Sequence, residues 1–202
     1  MSELTLGIDT STRVAVGLAD GERVLLSRVV GDTRSHVELL VPTIAGMLRE
    51  VGVAMADLTR IGVGVGPGPF TGLRVGIATA LVLGETLGMP VTGVCSLDVV
   101  ALQLAGGEPF TAISDARRHE VYFALYDGSG LRVDGPFVGS PEGLPAGRRV
   151  VGPFADVPDP IDAGFLAANL DRLVDVGLEP LYLRQPDAEV PGPRKSALGG
   201  AR

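Results

Sequence analysis

An aspartate followed by three hydroxyl residues ends the first apolar segment of the chain: Asp9 precedes Thr10, Ser11 and Thr12. A carboxylate at the end of a buried strand can hold a metal-bound phosphate. The same carboxylate can instead accept hydrogen bonds within its own turn. Both interpretations of Asp9 and Ser11 remain open from the residues alone.

A glycine- and proline-rich loop at residues 64–72 leads into a long apolar segment. The loop lacks the lysine and the spacing of G-x-x-x-x-G-K-[ST], which excludes a P-loop. Backbone N–H groups at the start of the following helix could still bind an anion beside Gly68. Otherwise the glycines only permit a sharp turn, with Thr71 as the helix N-cap. The candidate nucleotide or anion site therefore comprises Asp9, Ser11, Gly68 and Thr71.

Small residues recur at every fourth position of the apolar segment: Gly72, Gly76, Ala80, Gly84 and Gly88. On a helix this spacing places them along one face. Glycine inside a helix costs roughly 0.5–1 kcal/mol relative to alanine, so we expect a close neighbour on this face. The neighbour is either the chain's own core or a helix of a second subunit, because an exposed apolar strip of this size would be a liability.

Composition limits the functions open to this chain of 202 residues, of which 46% are hydrophobic. The net charge of −7 would repel phosphate backbones, so the chain is a poor candidate for binding nucleic acid alone. Cys95 is the one cysteine, which excludes a disulfide framework. The N-terminal residues do not resemble a secretory signal, so we expect a cytoplasmic protein. The apolar segment contains Arg74, Thr79 and Glu85, and we expect it to fall short of a membrane span.

Apolar runs and turn residues predict alternating strands and helices, which is typical of the α/β class. The predicted strands are 4–10, 13–19, 23–30, 61–66, 90–94 and 149–151; the predicted helices are 35–51, 72–87, 96–104 and 163–174. Residues 7–21 and 112–128 resemble each other, since each has a strand that ends near an aspartate, a turn with arginine, a second strand and an Asp-Gly turn. The similarity indicates a duplicated hairpin unit.

Several of these segments together resemble the TsaB (YeaZ-type) family. The specific ones are GVGPGPFTGLRVGIATA and DARRHEVYFALY; LGIDTST, SHVELLVPTI, VTGVCSLDVVA and PLYLRQPDA support them. The resemblance implies a duplicated ribonuclease-H-like fold, as in actin, Hsp70 and sugar kinases, with a truncated second lobe. The first lobe, with the interface helices, would comprise residues 1–104 and the smaller lobe 105–186, followed by a mobile tail at 187–202.

The resemblance also implies that this chain lacks a catalytic metal centre. The catalytic sister family, TsaD, has an H-x-x-x-H motif where this sequence has GVCSLDVVA, with Ser96 and Val100 at the positions of the histidines. Valine cannot bind a metal and serine is a poor neutral ligand, so we expect no catalytic residues and no metal site. Motifs of a serine hydrolase elbow or a zinc peptidase are also absent from the sequence.

In members of this family the first two long helices pair with a TsaD-like partner. Applied to this sequence, the partner interface would comprise Leu40, Ile44, Met47, Gly72, Gly76, Ala80 and Gly84, with the small residues admitting a partner helix.

The expected function is then that of a non-catalytic scaffold in the synthesis of N6-threonylcarbamoyladenosine at position 37 of tRNA. The chain would form a heterodimer with the TsaD-like transferase and help to form the docking site of a TsaE-like ATPase. The chain itself would need no cofactor, since ATP and a metal ion would bind to partner subunits. It would contact tRNA only through the complex, have no membrane role and form a homodimer in isolation. The alternative is a nucleotide-dependent ATPase or kinase of the same fold, which would use Asp9, Ser11 and the loop.

Overall fold

The computed structural model describes residues 3–30, 36–152 and 161–184. The strands in these ranges are β1 Leu4–Asp9, β2 Val14–Asp20, β3 Arg23–Val30, β4 Arg60–Gly64, β5 Val91–Val94, β6 Phe110–Arg117, β7 Glu120–Tyr126, β8 Arg132–Gly139 and β9 Arg149–Val151. The α-helices are α1 His36–Val51, α2 Phe70–Leu87, α3 Ser96–Leu104 and α4 Ala163–Ala168. Ser35 and the predicted tail at 187–202 lie outside the described residues.

The first sheet has the strand order β3-β2-β1-β4-β5. Strands β1, β2 and β3 form an antiparallel meander, whereas β4 and β5 run parallel to β1. Helices α1 and α2 cover one face of this sheet, where their apolar side chains join those of the strands in the largest core cluster. The carboxyl end of β1 and the start of α2 therefore lie at the same edge of the sheet.

The second sheet repeats the start of the first, with the order β8-β7-β6-β9. Strands β6, β7 and β8 form an antiparallel meander, and β9 runs parallel to β6 as β4 does to β1. Asp9 and Asp115 occupy corresponding places near the ends of β1 and β6. The predicted duplication within an α/β fold is confirmed.

Helix α4 covers the opposite face of the first sheet, where three glycines lie side by side. Gly7 is paired with Gly17 on one side and with Gly62 on the other. A Cβ at Gly7 would lie 2.1 Å from the carbonyl oxygen of Ala163, and one at Gly17 would lie 2.0 Å from the nitrogen of Gly164. Side chains at these positions would therefore push α4 away from the sheet. Asp162 caps the helix and accepts a hydrogen bond of 2.5 Å from Ser27 Oγ on β3.

Two predicted elements differ from the structure. The helix predicted over 163–174 ends at Ala168, because Asn169 leaves the helical conformation and donates its side-chain amide to the carbonyl of Phe165. Strand β8 lies in a segment for which no strand was predicted. It is an edge strand, where proline and glycine are tolerated because one side of the strand has no sheet partner.

Candidate functional site

The seven residues predicted to contact a partner are buried inside the chain. Leu40, Ile44 and Met47 of α1 have at most 1% of their surface exposed, and the four small residues of α2 are likewise buried. The small-residue face of α2 packs against its own sheet, so these residues are covered in the free chain. The buried seven are Leu40, Ile44, Met47, Gly72, Gly76, Ala80 and Gly84.

The close neighbour of the glycine row belongs to the chain itself. A Cβ at Gly76 would lie 2.3 Å from Thr10 Oγ1, and one at Gly84 would lie 2.3 Å from a methyl group of Val91. Thr10 also donates a hydrogen bond of 2.8 Å to the carbonyl of Gly72. The missing side chains thus allow α2 to lie directly on the turn after β1 and on β5.

The outward face of α2 is also apolar, although none of its residues was predicted to form the interface. Thr71, Val75, Ala78 and Val82 follow one another at intervals of four, three and four residues, and Val82 is 63% exposed. This is the spacing by which a helix packs along a second helix. With Val41 of α1, which is 52% exposed, they form what we call the helix-pair surface.

A groove of about 500 Å³ runs along this surface between α1 and the first three turns of α2. Its lining residues are Val41, Phe70, Thr71, Arg74, Val75, Ala78 and Thr79. Arg74 lies over the ring of Phe70, with its guanidinium carbon 3.8 Å from the ring centroid. One cation therefore borders an otherwise apolar groove.

Helix α2 is long and apolar enough to meet the length and composition of a membrane span. Among the described residues it is the one helix that could cross a membrane by length and composition, with 18 residues and a mean hydropathy of 1.3. The expectation that it falls short of a span is therefore wrong as a statement about length. Its small-residue face nonetheless packs on the sheet, as in the core helix of a globular domain.

Asp9 is an interior carboxylate that holds three segments together. Its Oδ1 accepts hydrogen bonds from the Ser11 amide at 2.8 Å and the Ser11 hydroxyl at 2.6 Å, while Oδ2 accepts one from Ser96 Oγ at 2.6 Å. Ser96 Oγ in turn accepts from the amide of Gly66 at 3.2 Å. A Cβ at Gly64 would lie 1.8 Å from Asp9 Oδ2, so this glycine makes room for the carboxylate. The geometry favours the structural interpretation of Asp9.

The four residues of the predicted anion site differ in exposure. Asp9 and Ser11 are buried, whereas Gly68 and Thr71 line a cleft. Gly68 lies directly against Ser11, because a Cβ on Gly68 would lie 2.8 Å from the carbonyl oxygen of Ser11. Thr71 is not the N-cap: the cap residue of α2 is Pro69, which offers no side-chain acceptor.

The segment aligned with the metal motif is part of the packed interior. The Ser96 hydroxyl donates a hydrogen bond to Asp9, and Val100 lies fully buried in the core between α3 and the second sheet. Between them, Asp98 accepts a hydrogen bond of 2.8 Å from the Tyr126 hydroxyl and pairs with Arg132 at 3.1 Å. Burial raises the pKa of Asp98, and the bonds from Tyr126 and Arg132 oppose that rise. Within residues 3–30, 36–152 and 161–184, no three His, Cys, Asp or Glu side chains cluster as metal ligands.

This buried ion pair was missed by the sequence analysis. Asp98 is visible in the sequence, but Arg132 is 34 positions away on an edge strand that was not predicted. Extending the repeat by one strand would have found β8, since a third strand follows the Asp-Gly turn at Asp127 as one does in the first half.

A second concave region, which we call the arginine cleft, lies between the start of α2 and the turn that joins β6 to β7. It has a volume of about 300 Å³. Its lining residues are Gly68, Pro69, Phe70, Thr71, Asp115, Ala116, Arg117, Arg118, Tyr122, Tyr182 and Arg184. The rings of Phe70 and Tyr182 stack at 4.7 Å between centroids, and Arg74 donates a hydrogen bond of 3.0 Å to the Tyr182 hydroxyl. These contacts fix one wall of the cleft.

Comparisons with known proteins agree with the fold. A family model described as TsaD, tRNA N6-adenosine threonylcarbamoyltransferase, matches residues 31–136, just over half of the chain. An uncharacterized protein of Mycobacterium leprae is 43% identical over 204 residues, which cover 92% of this chain and 56% of that protein. The tRNA threonylcarbamoyladenosine biosynthesis protein TsaB of Bacillus subtilis is 33% identical over 126 residues, which cover 60% of this chain and 54% of that protein.

The chain thus spans little more than half the length of both relatives. The solved structure of YeaZ from Pseudomonas aeruginosa superposes with a TM-score of 0.72 at 28% identity, covering 90% of this chain and 100% of that chain. Together with the strand order of the two sheets, this likeness confirms the expected ribonuclease-H-like fold. The family model, the relatives and the solved structure show that the chain belongs to the TsaB (YeaZ-type) family.

Proposed function

We propose that this protein is a non-catalytic scaffold subunit in the synthesis of N6-threonylcarbamoyladenosine at position 37 of tRNA. The name of the Bacillus subtilis relative assigns that protein to this biosynthesis, and the matched family model describes a threonylcarbamoyltransferase. In this role the chain pairs with a TsaD-like transferase and keeps the transferase in its active arrangement. The transferase supplies the reacting groups.

The observation that carries the proposal is the helix-pair surface. Val41, Val75, Ala78 and Val82 present an apolar stripe on two adjacent helices whose other faces are already packed. Apolar stripes of this length are stabilised when a second pair of helices covers them. Ala78 at the centre of the stripe lets a partner backbone approach closely, which is the role that the buried glycines were expected to have.

The other parts of the proposed complex follow from this pairing. A TsaE-like ATPase docks on the assembled pair, and tRNA contacts this chain only within the complex, as suits a net charge of −7. The cofactors of the reaction, ATP and a metal ion, bind to the partner subunits. The protein acts in the cytoplasm without a membrane role, and the same surface forms a homodimer when the transferase is absent.

The alternative function, an ATPase or kinase, needs an accessible carboxylate that can hold a metal-bound phosphate or accept a proton. Asp9 does not meet this need, because it is buried and its two oxygens accept three hydrogen bonds from the chain. No other observation on the described residues favours catalysis by this chain.

The test is co-expression with the TsaD-like subunit of the same organism, followed by affinity purification and size-exclusion chromatography. Val82→Lys places an ammonium group on the most exposed apolar residue of the stripe and is expected to weaken pairing by at least about tenfold. Val133→Lys is the matched control, since Val133 is 56% exposed on β8 and lies away from both helices. Circular dichroism verifies that both variants fold.

Pairing by the wild type and by Val133→Lys, together with its loss in Val82→Lys, supports the proposal. Undiminished pairing of Val82→Lys contradicts the assigned surface. If the wild type does not pair with the transferase at all, the scaffold function itself is wrong.

A further inference from the structure

Helix α2 carries two charged residues, Arg74 and Glu85, and both are exposed on its outward face. They are eleven positions apart, which is close to three helical turns, so both lie on the side that also carries Ala78 and Val82. The rise of an α-helix puts about 16 Å between them along the axis. They are therefore too far apart to form an ion pair within the helix, and the apolar stripe has a cation near one end and an anion near the other.

The two charges lie where their own helix favours them least. The N-terminal end of a helix carries a partial positive charge, and the C-terminal end carries a partial negative charge. Arg74 lies near the N-terminal end of α2, and Glu85 lies in its last turn. Neither charge is placed to stabilise the helix to which it belongs, so the pattern indicates a contact outside this helix.

The packing of Arg74 fixes the cation at its end of the stripe. Its guanidinium carbon lies 3.8 Å from the ring centroid of Phe70, and its Nε donates a hydrogen bond of 3.0 Å to the Tyr182 hydroxyl. The Tyr182 ring stacks in turn on Phe70. A guanidinium held in this way loses little side-chain freedom when its Nη groups meet a carboxylate.

We propose that the outward face of α2 pairs antiparallel with the same face of a second copy of this chain, with Arg74 of each copy against Glu85 of the other. A two-fold axis makes every contact reciprocal, so one charge of each sign per chain completes two ion pairs. The register that places Arg74 opposite Glu85 also places Ala78 opposite Leu81, which is 44% exposed, so a small side chain faces a large one.

The charges select the orientation more than they add affinity. An exposed ion pair contributes little to stability, whereas like charges in direct contact are costly. A parallel pairing in register would bring the two copies of Arg74 together and the two copies of Glu85 together. This inference rests on the proposed function only in using the helix-pair surface, and it adds how that surface recognises a second copy.

Sedimentation equilibrium of the full chain tests the proposal by charge reversal. Arg74→Glu and Glu85→Arg are each expected to weaken self-association at least about tenfold, because each single change brings two contacts between like charges into the dimer. The double variant Arg74→Glu, Glu85→Arg regains both contacts between opposite charges and should dimerise as the wild type does. Glu108→Arg is the matched control, since Glu108 is exposed in the loop before β6 and lies outside both helices. Circular dichroism verifies that all variants fold.

A mixture of the wild type and the double variant provides a second readout. Each should pair with its own kind and exchange no subunits with the other, because every charge in a mixed dimer would face its own sign. A wild type that stays monomeric, self-association that ignores the single reversals, or a double variant as weak as the single ones would overturn the proposal.

Binding of the TsaD-like transferase is measured separately with the same variants. A wild type that dimerises with this charge dependence but does not bind the transferase would refute the proposed function and leave this inference standing. A wild type that binds the transferase but does not self-associate would do the reverse.

Discussion

Replacing Gly76 with alanine is expected to destabilise the fold, although alanine is the better helix former. The substitution gains roughly 0.5–1 kcal/mol of helix propensity. The new Cβ would lie 2.3 Å from Thr10 Oγ1, and overpacking of this kind costs about 1–3 kcal/mol. If Thr10 moves away, it also loses its bond to the Gly72 carbonyl, which costs about 1–3 kcal/mol for a buried hydroxyl. The free energy of unfolding should therefore fall by about 1–5 kcal/mol.

The matched control is Gly46→Ala in α1, because a Cβ at Gly46 would meet no atom within 4 Å. That variant should gain about 0.5–1 kcal/mol, the full propensity difference. Urea denaturation followed by circular dichroism measures both variants on one scale. The double variant Thr10→Ala, Gly76→Ala should lose less than the sum of the two single changes, since it removes the clashing hydroxyl. A Gly76→Ala protein as stable as Gly46→Ala would refute the conclusion that this face packs inward.

Two further predictions concern buried polar groups. Asp9→Asn is expected to lower the free energy of unfolding by about 1–3 kcal/mol, because the amide cannot accept all the hydrogen bonds from Ser11 and Ser96. The same urea denaturation measures this change. An unchanged midpoint would contradict the structural role of Asp9. Burial raises the pKa of the Cys95 thiol from 9.0 to about 12, so the native protein should resist thiol-specific dyes at neutral pH and react only when denatured. Because the folded state holds this proton more tightly than the unfolded chain, stability should fall as the pH rises from 9 towards 12, and Cys95→Ala should reduce that fall in alkaline thermal melts.

The sequence was sufficient to predict elements whose hydrophobic pattern and end signals agree. Strand β3 and helix α3 begin and end where the alternating pattern and the turn residues placed them. Strand β8 was not predicted, and its Gly135 and Pro136 are compatible with a strand because it lies at the sheet edge. Helix α4 ends at Asn169, whose side-chain amide donates a hydrogen bond to the Phe165 carbonyl. The apolar periodicity of the segment gives no sign of this hydrogen bond.

The sequence indicated α1 and α2 as the helices of the expected interface but could not assign their faces. Apolar residues occur on nearly every side of α2, so periodicity could not tell the face that packs on the sheet from the face that stays open. The small residues were taken as the contact with a partner, yet a close approach is needed equally by Thr10 and Val91 of the same chain. Only the three-dimensional arrangement assigns Gly76 to the inside and Val82 to the outside.

The residues of the arginine cleft could not be brought together from the sequence. Arg117 and Arg118 lie where β6 turns into β7, and Arg184 lies more than sixty positions further on. Their proximity follows from the way the segment after α4 returns to the start of α2, where Tyr182 stacks on Phe70. No spacing rule in the sequence links these residues.

The three adjacent glycines of the first sheet, Gly7, Gly17 and Gly62, make that sheet depend on α4 for its cover. Their backbone packs against α4, which the ribosome makes some 150 residues after Gly7. The amino-terminal sheet therefore cannot be covered until α4 has been translated. A cloned fragment that stops before Asp162 would leave bare strands open to association with other chains. Split-reporter fusions, domain exchanges and deletions in this protein should therefore be planned with the segment from Asp162 to Arg172 kept beside the amino-terminal strands.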